Sequence, residues 1–297
     1  MIFTPAIEEI PITINLSTYV DGDVDLDGNL TAHDELFLKK YVLGLYNIIQ
    51  TGSTDGITIN KNGGNCNNIA INGDISTNGH LTFLSWNGNI NGELNSIEEP
   101  IISSNINHKE VGNIPFDTEQ LLTKEQVEEL YFNSPIYKTD YKDETQNINL
   151  TKNIIDSNMI VLGNQENINS NITLNSSIMA ENDINIKGQV QNSQDSVIYS
   201  VNGNITIEAS TISYVGIIYA PNGKVTLSGT NVNINGTVIA KEIEINADSV
   251  NFNIIQFNTD STKSLSRFQL FLANIFYDDK VNIVDLVVMK KKILGII

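Results

Sequence analysis

Residues 198–240 decide the fold, and they read IYSVNGNITIEASTISYVGIIYAPNGKVTLSGTNVNINGTVIA. Within this stretch the motif Ile198-Tyr199-Ser200 returns as Ile218-Tyr219-Ala220 and again as Val238-Ile239-Ala240, each time 20 residues later. An earlier copy, Ile178-Met179-Ala180, keeps the same spacing. A fixed period of this length is typical of a solenoid, in which each repeat is one structural unit.

Each repeat contains three short runs in which apolar and polar residues alternate, such as Ile205-Thr206-Ile207 and Ile212-Ser213-Tyr214. Alternation is the pattern of a β-strand that points one side chain inward and the next outward. Asn-Gly pairs such as Asn202-Gly203 supply corners between the strands. The sequence therefore predicts a mainly β fold, a right-handed parallel β-helix or solenoid with rungs of about 20 residues. A β-sandwich or jelly roll is the alternative, although it does not require a constant period.

The motif Ile234-Asn235-Gly236 of the repeats also occurs nearer the N-terminus, at Ile71-Asn72-Gly73 and Ile90-Asn91-Gly92. Between the two rung regions the alternation stops, and residues 123–131 predict a helix that begins with a capping box and packs on the flank or end of the rungs. The predicted organisation is an N-terminal segment with a loop-helix element (1–50), first rungs (55–96), a helical insertion (97–145), the main β-helix (146–260) and a C-terminal loop-helix element (265–297).

The stretch from Asp23 to Asp34 has the spacing of a twelve-residue calcium-binding loop. It opens with the pattern D-x-D-x-D-G, in which three carboxylates converge on one ion and Gly28 permits the sharp turn of the chain. Every side chain at a ligand position offers a hard oxygen, which favours Ca²⁺ over zinc or copper. The alternative is a solvated acidic turn. The predicted ligands are Asp23, Asp25, Asp27, Asn29 (by its backbone carbonyl), Thr31 and Asp34.

Residues 274–296 are a second copy of residues 23–45, at a constant offset of 251. The loop of this copy is altered, because Phe276 occupies the third ligand position and Asp279 replaces the turn glycine. We therefore expect a weak second site or none, and about one ion per chain. The helix that follows keeps its apolar positions and its Lys run, which indicates a packing role. The remaining candidate ligands of the second loop are Asn274, Asp278, Lys280 (by its backbone carbonyl), Asn282 and Asp285.

The segment from Gly22 to Gly28, followed by Leu38-Lys39-Lys40-Tyr41-Val42-Leu43-Gly44, resembles one repeat of a type I dockerin. The family carries two adjacent repeats, whereas more than two hundred residues separate them here. The resemblance implies bound Ca²⁺, an extracellular or cell-surface location, and a cohesin-like domain or another cell-surface protein as the partner. It places the partner contacts at Ala32, His33, Lys39 and Lys40. Residues 217–225 are also similar to uncharacterised β-helical stretches in surface proteins of low-GC Gram-positive bacteria.

Composition excludes several classes of partner. The formal net charge is −18 and the isoelectric point is near 4.4, which argues against nucleic acid and anionic membranes as ligands. The sequence has no apolar run near the length of about 20 residues that spans a bilayer. Its N-terminus has neither the basic region nor the apolar core of a signal peptide, so we expect an exported protein to be a processed form. Cys66 is the sole cysteine, so no intrachain disulfide forms.

The rung region offers little for catalysis. Its acidic residues do not follow the 20-residue period, it contains no Arg, and His33, His80 and His108 lie near no nucleophile pattern. The sequence therefore predicts a non-catalytic scaffold or adhesin, with a polysaccharide-active lyase or hydrolase carried by a dockerin as the alternative. Glycan binding on the polar face is a further alternative, for which the candidate aromatic platforms are Tyr199, Tyr214 and Tyr219. The acids in question are Glu181, Asp183, Glu208, Glu242, Glu244 and Asp248.

Overall fold

The structure is a computed structural model of the full chain. It describes residues 22–23, 29–43, 46–132, 139–142, 148–150, 154–155, 158–161, 165–168, 172–174, 177–192, 196–254 and 292. The chain divides into two compact units. One comprises Met1–Leu38 together with Thr259–Ile297, and the other comprises Lys39–Asn258. The C-terminal loop-helix element predicted at 265–297 lies outside the described residues apart from Lys292, which is helical.

Helix α1 spans Ala32–Leu43, so the predicted helix after the first loop is present and begins inside the loop. Near the middle of the chain a 3-10 turn (Thr118–Gln120) is followed by α2 (Lys124–Val127) and a π-helical turn (Glu128–Phe132). The capping box predicted there is confirmed, since the Thr123 hydroxyl accepts from the Gln126 backbone N–H and the Gln126 side chain accepts from the Thr123 backbone N–H.

The strands before the helical segment are β1 (Tyr46–Gln50), β2 (Gly56–Asn60), β3 (Asn68–Asn72), β4 (Asp74–Thr77), β5 (His80–Phe83), β6 (Gly88–Ile90), β7 (Leu94–Ser96), β8 (Ile101–Ile102), β9 (Ile106–Asn107) and β10 (Val111–Gly112). Those after it are β11 (Thr139–Lys142), β12 (Ile148–Leu150), β13 (Ile154–Ile155), β14 (Asn158–Val161), β15 (Gln165–Ile168), β16 (Ile172–Leu174), β17 (Ile178–Ala180), β18 (Asp183–Lys187), β19 (Val190–Gln191), β20 (Ser196–Ser200), β21 (Ile205–Glu208) and β22 (Thr211–Asn253).

These strands form three rows, because each short strand pairs with the strand three places further along the chain. Row 1 runs β11-β14-β17-β20-β22-β1-β4-β7-β10, row 2 runs β12-β15-β18-β21-β22-β2-β5-β8, and row 3 runs β13-β16-β19-β22-β3-β6-β9. Every pairing between these strands is parallel, which contradicts the antiparallel sandwich. The 20-residue period is confirmed in row 1, where Ile178 faces Ile198 and Ile198 faces Ile218. The chain is thus mainly β, with a parallel sheet that curls into a half-barrel.

We call one strand from each row, taken in sequence, a level. The order of the levels differs from the order of the chain. Strand β22 makes the last levels of the C-terminal half, and its end pairs with β1, β2 and β3 of the N-terminal half: Val238 faces Ile48, Ile243 faces Ile57 and Val250 faces Ile69. Residues 46–112 therefore continue the sheet beyond residue 253, although they precede it in sequence.

The helical insertion predicted at 97–145 is shorter in the structure. Strands β8, β9 and β10 continue the three rows through residue 112, and β11 resumes row 1 at residue 139. What remains between them, within the described part, is residues 113–132, which we call the strap. It leads from the level of β10 at one end of the rows towards β11 at the other. Two-residue strands carry little side-chain patterning, which is why the alternation was not visible from residue 97 onward.

One apolar core lies along the inner side of the rows. In the strands whose side chains are described, alternate residues point into it, for example Ile178, Ile198, Ile218 and Val238 of row 1. The repeat brings the backbone close at the corners. Gly236 has φ +151, and a Cβ added there would stand 1.9 Å from the Gly216 carbonyl oxygen, so only glycine fits.

The outer side of row 1 breaks the predicted alternation of apolar and polar residues. Its middle column is apolar too, and we call it the outer stripe: Met179, Tyr199, Tyr219, Ile239 and Ile49, each at most 3% exposed. No helix among the described residues is long and apolar enough to cross a bilayer.

Candidate functional site

The described part of the predicted calcium loop centres on Asp34, in the first turn of α1. Its carboxylate is fully buried, and Oδ2 accepts hydrogen bonds from the Thr31 backbone N–H at 2.8 Å and the Thr31 hydroxyl at 3.3 Å. A carboxylate in the first turn also faces the positive end of the helix dipole. These contacts hold the Asp34 carboxylate at the last position of the loop.

Asp23, at the first position of the same loop, is 1% exposed, whereas Asn29 is exposed and Thr31 is half-buried. Two acidic side chains of a twelve-residue loop are therefore removed from water. Burial of an ionised carboxylate is costly unless a cation or hydrogen bonds compensate. This is the environment that a hard cation stabilises.

Several predicted ligands lie outside the described residues. They are Asp25 and Asp27 of the first loop, and Asn274, Asp278, Lys280, Asn282 and Asp285 of the second. Over the part of the chain that is described, no three His, Cys, Asp or Glu side chains group together as a metal site. The ligand set of the first loop, and the use of the second, therefore stay predictions.

The four residues predicted to contact a partner differ in where the structure places them. Ala32 is exposed, in accord with a surface role, while the side chains of His33 and Lys40 lie outside the described residues. For Lys39 the prediction is wrong, because its side chain is only 5% exposed and its ammonium donates to Gln126 Oε1 of the strap at 3.3 Å. Lys39 joins the end of α1 to the strap instead of facing a partner.

The strap packs along row 1, where it contacts Tyr219 of the outer stripe. Five of its apolar side chains are buried, whereas Ile114 is 68% exposed. The five are Phe116, Leu122, Val127, Tyr131 and Phe132. The strap contacts residues from several levels in turn. The Phe116 backbone exchanges hydrogen bonds with the Asn78 side chain, the Phe116 ring meets Tyr46 edge-on at 5.7 Å, and the Leu122 carbonyl accepts from the Tyr219 hydroxyl at 2.6 Å.

None of the three tyrosines considered as glycan platforms is available at the surface. Tyr199 and Tyr219 stack at 5.1 Å beneath the strap, and Tyr214 lies in the inner core with its hydroxyl 2.9 Å from Ser196 Oγ. Burial raises the pKa of Tyr199, and the charges of Glu125, Glu181 and Glu128 raise it further. Burial also raises the pKa of Tyr219. Both phenols stay neutral across the physiological range.

The six acids of the rung region that were weighed as catalytic groups all have partners. Ion pairs join Glu181 to Lys124 (3.2 Å), Glu208 to Lys187 (3.7 Å) and Asp248 to Lys61 (3.6 Å). Asp183 accepts from the backbone and side-chain N–H groups of Asn204. A general acid or base needs a carboxyl group that can reach substrate. These carboxylates are partly exposed, and each is held in an ion pair or hydrogen bonds at the surface.

Lys224 sits between Glu242 and Glu244, the remaining two of the six acids. Its ammonium lies 2.7 Å from Glu242 and 2.6 Å from Glu244. Burial alone would lower the pKa of Lys224, but the hydrogen bonds and charges of the two glutamates outweigh it and raise the pKa. The trio lies on row 2, and its charges compensate one another.

An exposed ladder of asparagine amides runs along the edge of row 3. Successive side chains hydrogen-bond at 2.6–3.2 Å, and the ladder crosses the junction between the two halves of the sheet where Asn72 donates to Asn253. Its members are Asn107, Asn89, Asn91, Asn72, Asn253 and Asn235. Amides that satisfy one another in this way stabilise stacked strands.

The other candidate reactive groups are isolated. Cys66 is fully buried, its thiol contacts the Leu84 carbonyl, and burial raises its pKa. His80 lies on row 2 and His108 is exposed between β9 and β10. Neither histidine lies in a group of metal-ligand side chains within the described chain.

A family model described as a domain of unknown function (DUF7305) matches residues 144–256. The matched part, less than half of the chain, contains β12 to β22, which are the levels with the clearest 20-residue period. That description names no activity. No curated protein and no solved structure matches the chain.

Proposed function

We propose that this protein is a non-catalytic extracellular scaffold or adhesin that attaches to a cohesin-like domain, or to another cell-surface protein, through a calcium-binding, dockerin-like element. The observation that carries the proposal is the burial of Asp23 and Asp34 at the first and last positions of a D-x-D-x-D-G loop. Calcium neutralises the carboxylates and orders the loop at the start of α1.

The body of the scaffold is, in this proposal, a right-handed parallel β-helix. Support comes from the three rows, the parallel registers and the continuous inner core. Right-handedness follows from the strong preference of parallel crossover connections for that hand. A rod of this kind presents long polar faces, such as the asparagine ladder, that suit a spacer or a glycan-facing surface.

The non-catalytic part of the proposal rests on the engagement of the six acids in ion pairs and hydrogen bonds. The alternative, a polysaccharide-active enzyme carried by the same attachment element, makes a distinct prediction. If the purified protein released reducing ends or unsaturated sugars from plant or bacterial polysaccharides, the non-catalytic proposal would be rejected in favour of the enzyme.

Thermal unfolding with and without calcium tests the metal site. At a free calcium concentration one hundred times the Kd, binding stabilises the folded loop by about 2.7 kcal/mol. We expect Asp25→Ala to abolish the chelator-sensitive part of the melting temperature and cohesin binding. The matched substitution Asp278→Ala in the second loop should change both little. Equal losses from the two variants would show that the second loop is a working site, and no calcium effect on the unaltered protein would refute the first.

A further inference from the structure

The chain's sole tryptophan, Trp86, lies at the surface of the β unit. It is 64% exposed, in the corner between β5 of row 2 and β6 of row 3. Its backbone is held in place, because the Trp86 N–H donates to the Cys66 carbonyl of the preceding level at 2.9 Å. Tryptophan is highly buried on average, and exposed indole rings are enriched where proteins bind partners. This corner therefore presents a large aromatic surface at a fixed position.

Three asparagine residues are the neighbours of Trp86. Asn87 follows it directly in the chain. The strand registers place Asn67 beside Trp86 in the level before, and Asn105 beside Asn87 in the level after. Since adjacent parallel strands lie about 4.8 Å apart, the three levels span roughly 10 Å along the rows.

The side chains of these asparagines differ from those of the ladder on row 3. In the ladder, Asn72 donates to Asn253 and accepts from Asn91, so the amides satisfy one another. The three amides around Trp86 are exposed, and in the described part of the chain none of them hydrogen-bonds to another protein group. An amide group has two N–H donors and a carbonyl acceptor. Hydroxyl groups of a ligand can take the place of water on these amides. The residues are Asn67, Asn87 and Asn105.

The charge at this corner selects against ionic ligands. Residues 61–67, 84–87 and 103–105 form the corner in three successive levels, and Lys61 is the charged residue among them. Its ammonium pairs with Asp248 of the adjoining level at 3.6 Å and also donates to the Gly229 carbonyl. The pair compensates its own charge. A neutral ligand therefore fits this surface better than an anion or a cation.

We propose that Trp86, Asn67, Asn87 and Asn105, which we call the Trp86 patch, bind a neutral glycan. One face of a sugar ring carries C–H groups, which pack on the apolar face of the indole. The hydroxyl groups at the rim of the sugar both donate and accept, as the amides do. The length of the patch suits a disaccharide unit within a longer chain. This inference rests on the adhesin proposed above, because it specifies the ligand of that adhesin.

The fluorescence of Trp86 tests the patch directly, because the chain has no other tryptophan. The full chain is titrated with three soluble neutral polysaccharides (xyloglucan, galactomannan and mixed-linkage β-glucan) and with anionic polygalacturonate. We expect a blue shift and protection from acrylamide quenching with at least one neutral glycan, and no change with polygalacturonate. The absence of a shift with all three neutral glycans, or an equal shift with polygalacturonate, would overturn the proposal. A shift with a proline-rich peptide alone would assign the patch to a protein partner and also overturn it.

Variants identify the groups that bind, with retardation in gels that contain the polysaccharide as the measurement. Trp86→Ala should abolish the retardation. Asn87→Ala should weaken binding about two- to tenfold, which is the loss expected for one hydrogen bond. Asn222→Ala is the matched control, because Asn222 is an exposed amide in a corner between rows 1 and 2, and it should bind as the unaltered chain does. Unchanged retardation of Trp86→Ala, or the same loss in Asn222→Ala as in Asn87→Ala, would contradict the patch.

Two further measurements keep this test separate from the proposed attachment. Far-ultraviolet circular dichroism confirms that the β unit is folded in each variant. Glycan binding is measured with calcium and with a chelator, and we expect the same affinity in both, since the patch contains no residue of the calcium loop. A chain that binds a cohesin but no glycan refutes the patch alone, and a chain that binds glycan but no cohesin refutes the attachment alone.

Discussion

Single residues show where local pattern predicts structure well and where it does not. The Asp34 carboxylate lies where the loop spacing predicts, at the start of α1, because its position is set by neighbours in sequence. Lys39 is buried against Gln126, which lies 87 residues away. Nothing near Lys39 in the sequence signals that contact, and a lysine is rarely buried without a partner. The position of Asp34 was therefore predictable, whereas the burial of Lys39 was not.

The close approach of Gly236 to the preceding level gives a prediction at this scale. We expect Gly236→Ala to destabilise the protein by about 3 kcal/mol, because its Cβ would overlap the Gly216 carbonyl and its φ of +151 is strained for any other residue. Gly63→Ala is the matched control. Gly63 also has a positive φ, +77, but no atom lies within 4 Å of the added Cβ, so only about 1 kcal/mol of backbone strain remains. Denaturant unfolding measures both, and equal losses would show that the contact between levels costs nothing.

Among the elements, the rows and the capped start of the helix in the strap were predictable, whereas the path of the strap was not. The 20-residue period gave the strand registers directly, as in the pairing of Ile198 with Ile218. A signal for the strap was present in the same strands, since Ile198-Tyr199 and Ile218-Tyr219 place two large apolar residues in succession. A strand with apolar residues on both faces is covered on both faces. The sequence shows that a cover is needed, but not which segment supplies it.

Release of the strap should change the titration of Tyr199 and Tyr219, the two tyrosines of the outer stripe. The pKa values of Tyr199 and Tyr219 are raised in the folded protein, so the fold favours their neutral form. That contribution to stability is complete below the ordinary tyrosine pKa of about 10 and is lost as pH rises above it. Ultraviolet titration of the unaltered protein should therefore show Tyr199 and Tyr219 among the tyrosines that ionise only above the ordinary range, together with Tyr46, whose pKa is also raised.

A substitution at the buried face of α2 isolates the role of the strap in this titration. Val127 is fully buried, so Val127→Asp places an unpaired charge under the strap and should loosen it. We expect both tyrosines to titrate near their ordinary range and hydrogen exchange to rise in residues 113–132, with rows 2 and 3 still protected. Glu129→Ala, at an exposed position of the same segment, should alter neither measurement. Unchanged tyrosine titration in a loosened strap would show that other contacts bury the two rings.

For the whole molecule, the order of the levels was beyond sequence analysis. Parallel edges of similar repeats are locally equivalent, so the end of β22 could be followed by any level with a matching inner face. The registers of β22 with β1, β2 and β3 show that the N-terminal half occupies that place. The strap makes this order possible, because it carries the chain back along row 1 from β10 towards β11. The sheet is thus a continuous series of levels. The level of β1, β2 and β3 follows the last level of β22 in space, although it precedes that level in sequence.

A rearranged chain order tests that architecture. In a permutant that begins at residue 139, runs to residue 254, continues through a linker of about four residues into residue 46 and ends at residue 132, every strand keeps its partner. Asn253 pairs with Asn72 and Tyr46 pairs with Asp74, which is two residues further along the chain. Because two residues span roughly 7 Å at most, a linker of this length suffices. We expect cooperative unfolding and circular dichroism typical of β structure, with some loss of stability because Lys39, Val42 and Leu43, which are buried in the intact chain, are missing.

The matched control joins residue 112 directly to residue 139 by the same linker in the native order. Since β10 and β11 lie at opposite ends of row 1, that linker is too short, and we expect the control to misfold or to exchange halves between chains. A control that folds as a stable monomer would mean that the strap is dispensable and that the levels follow another order.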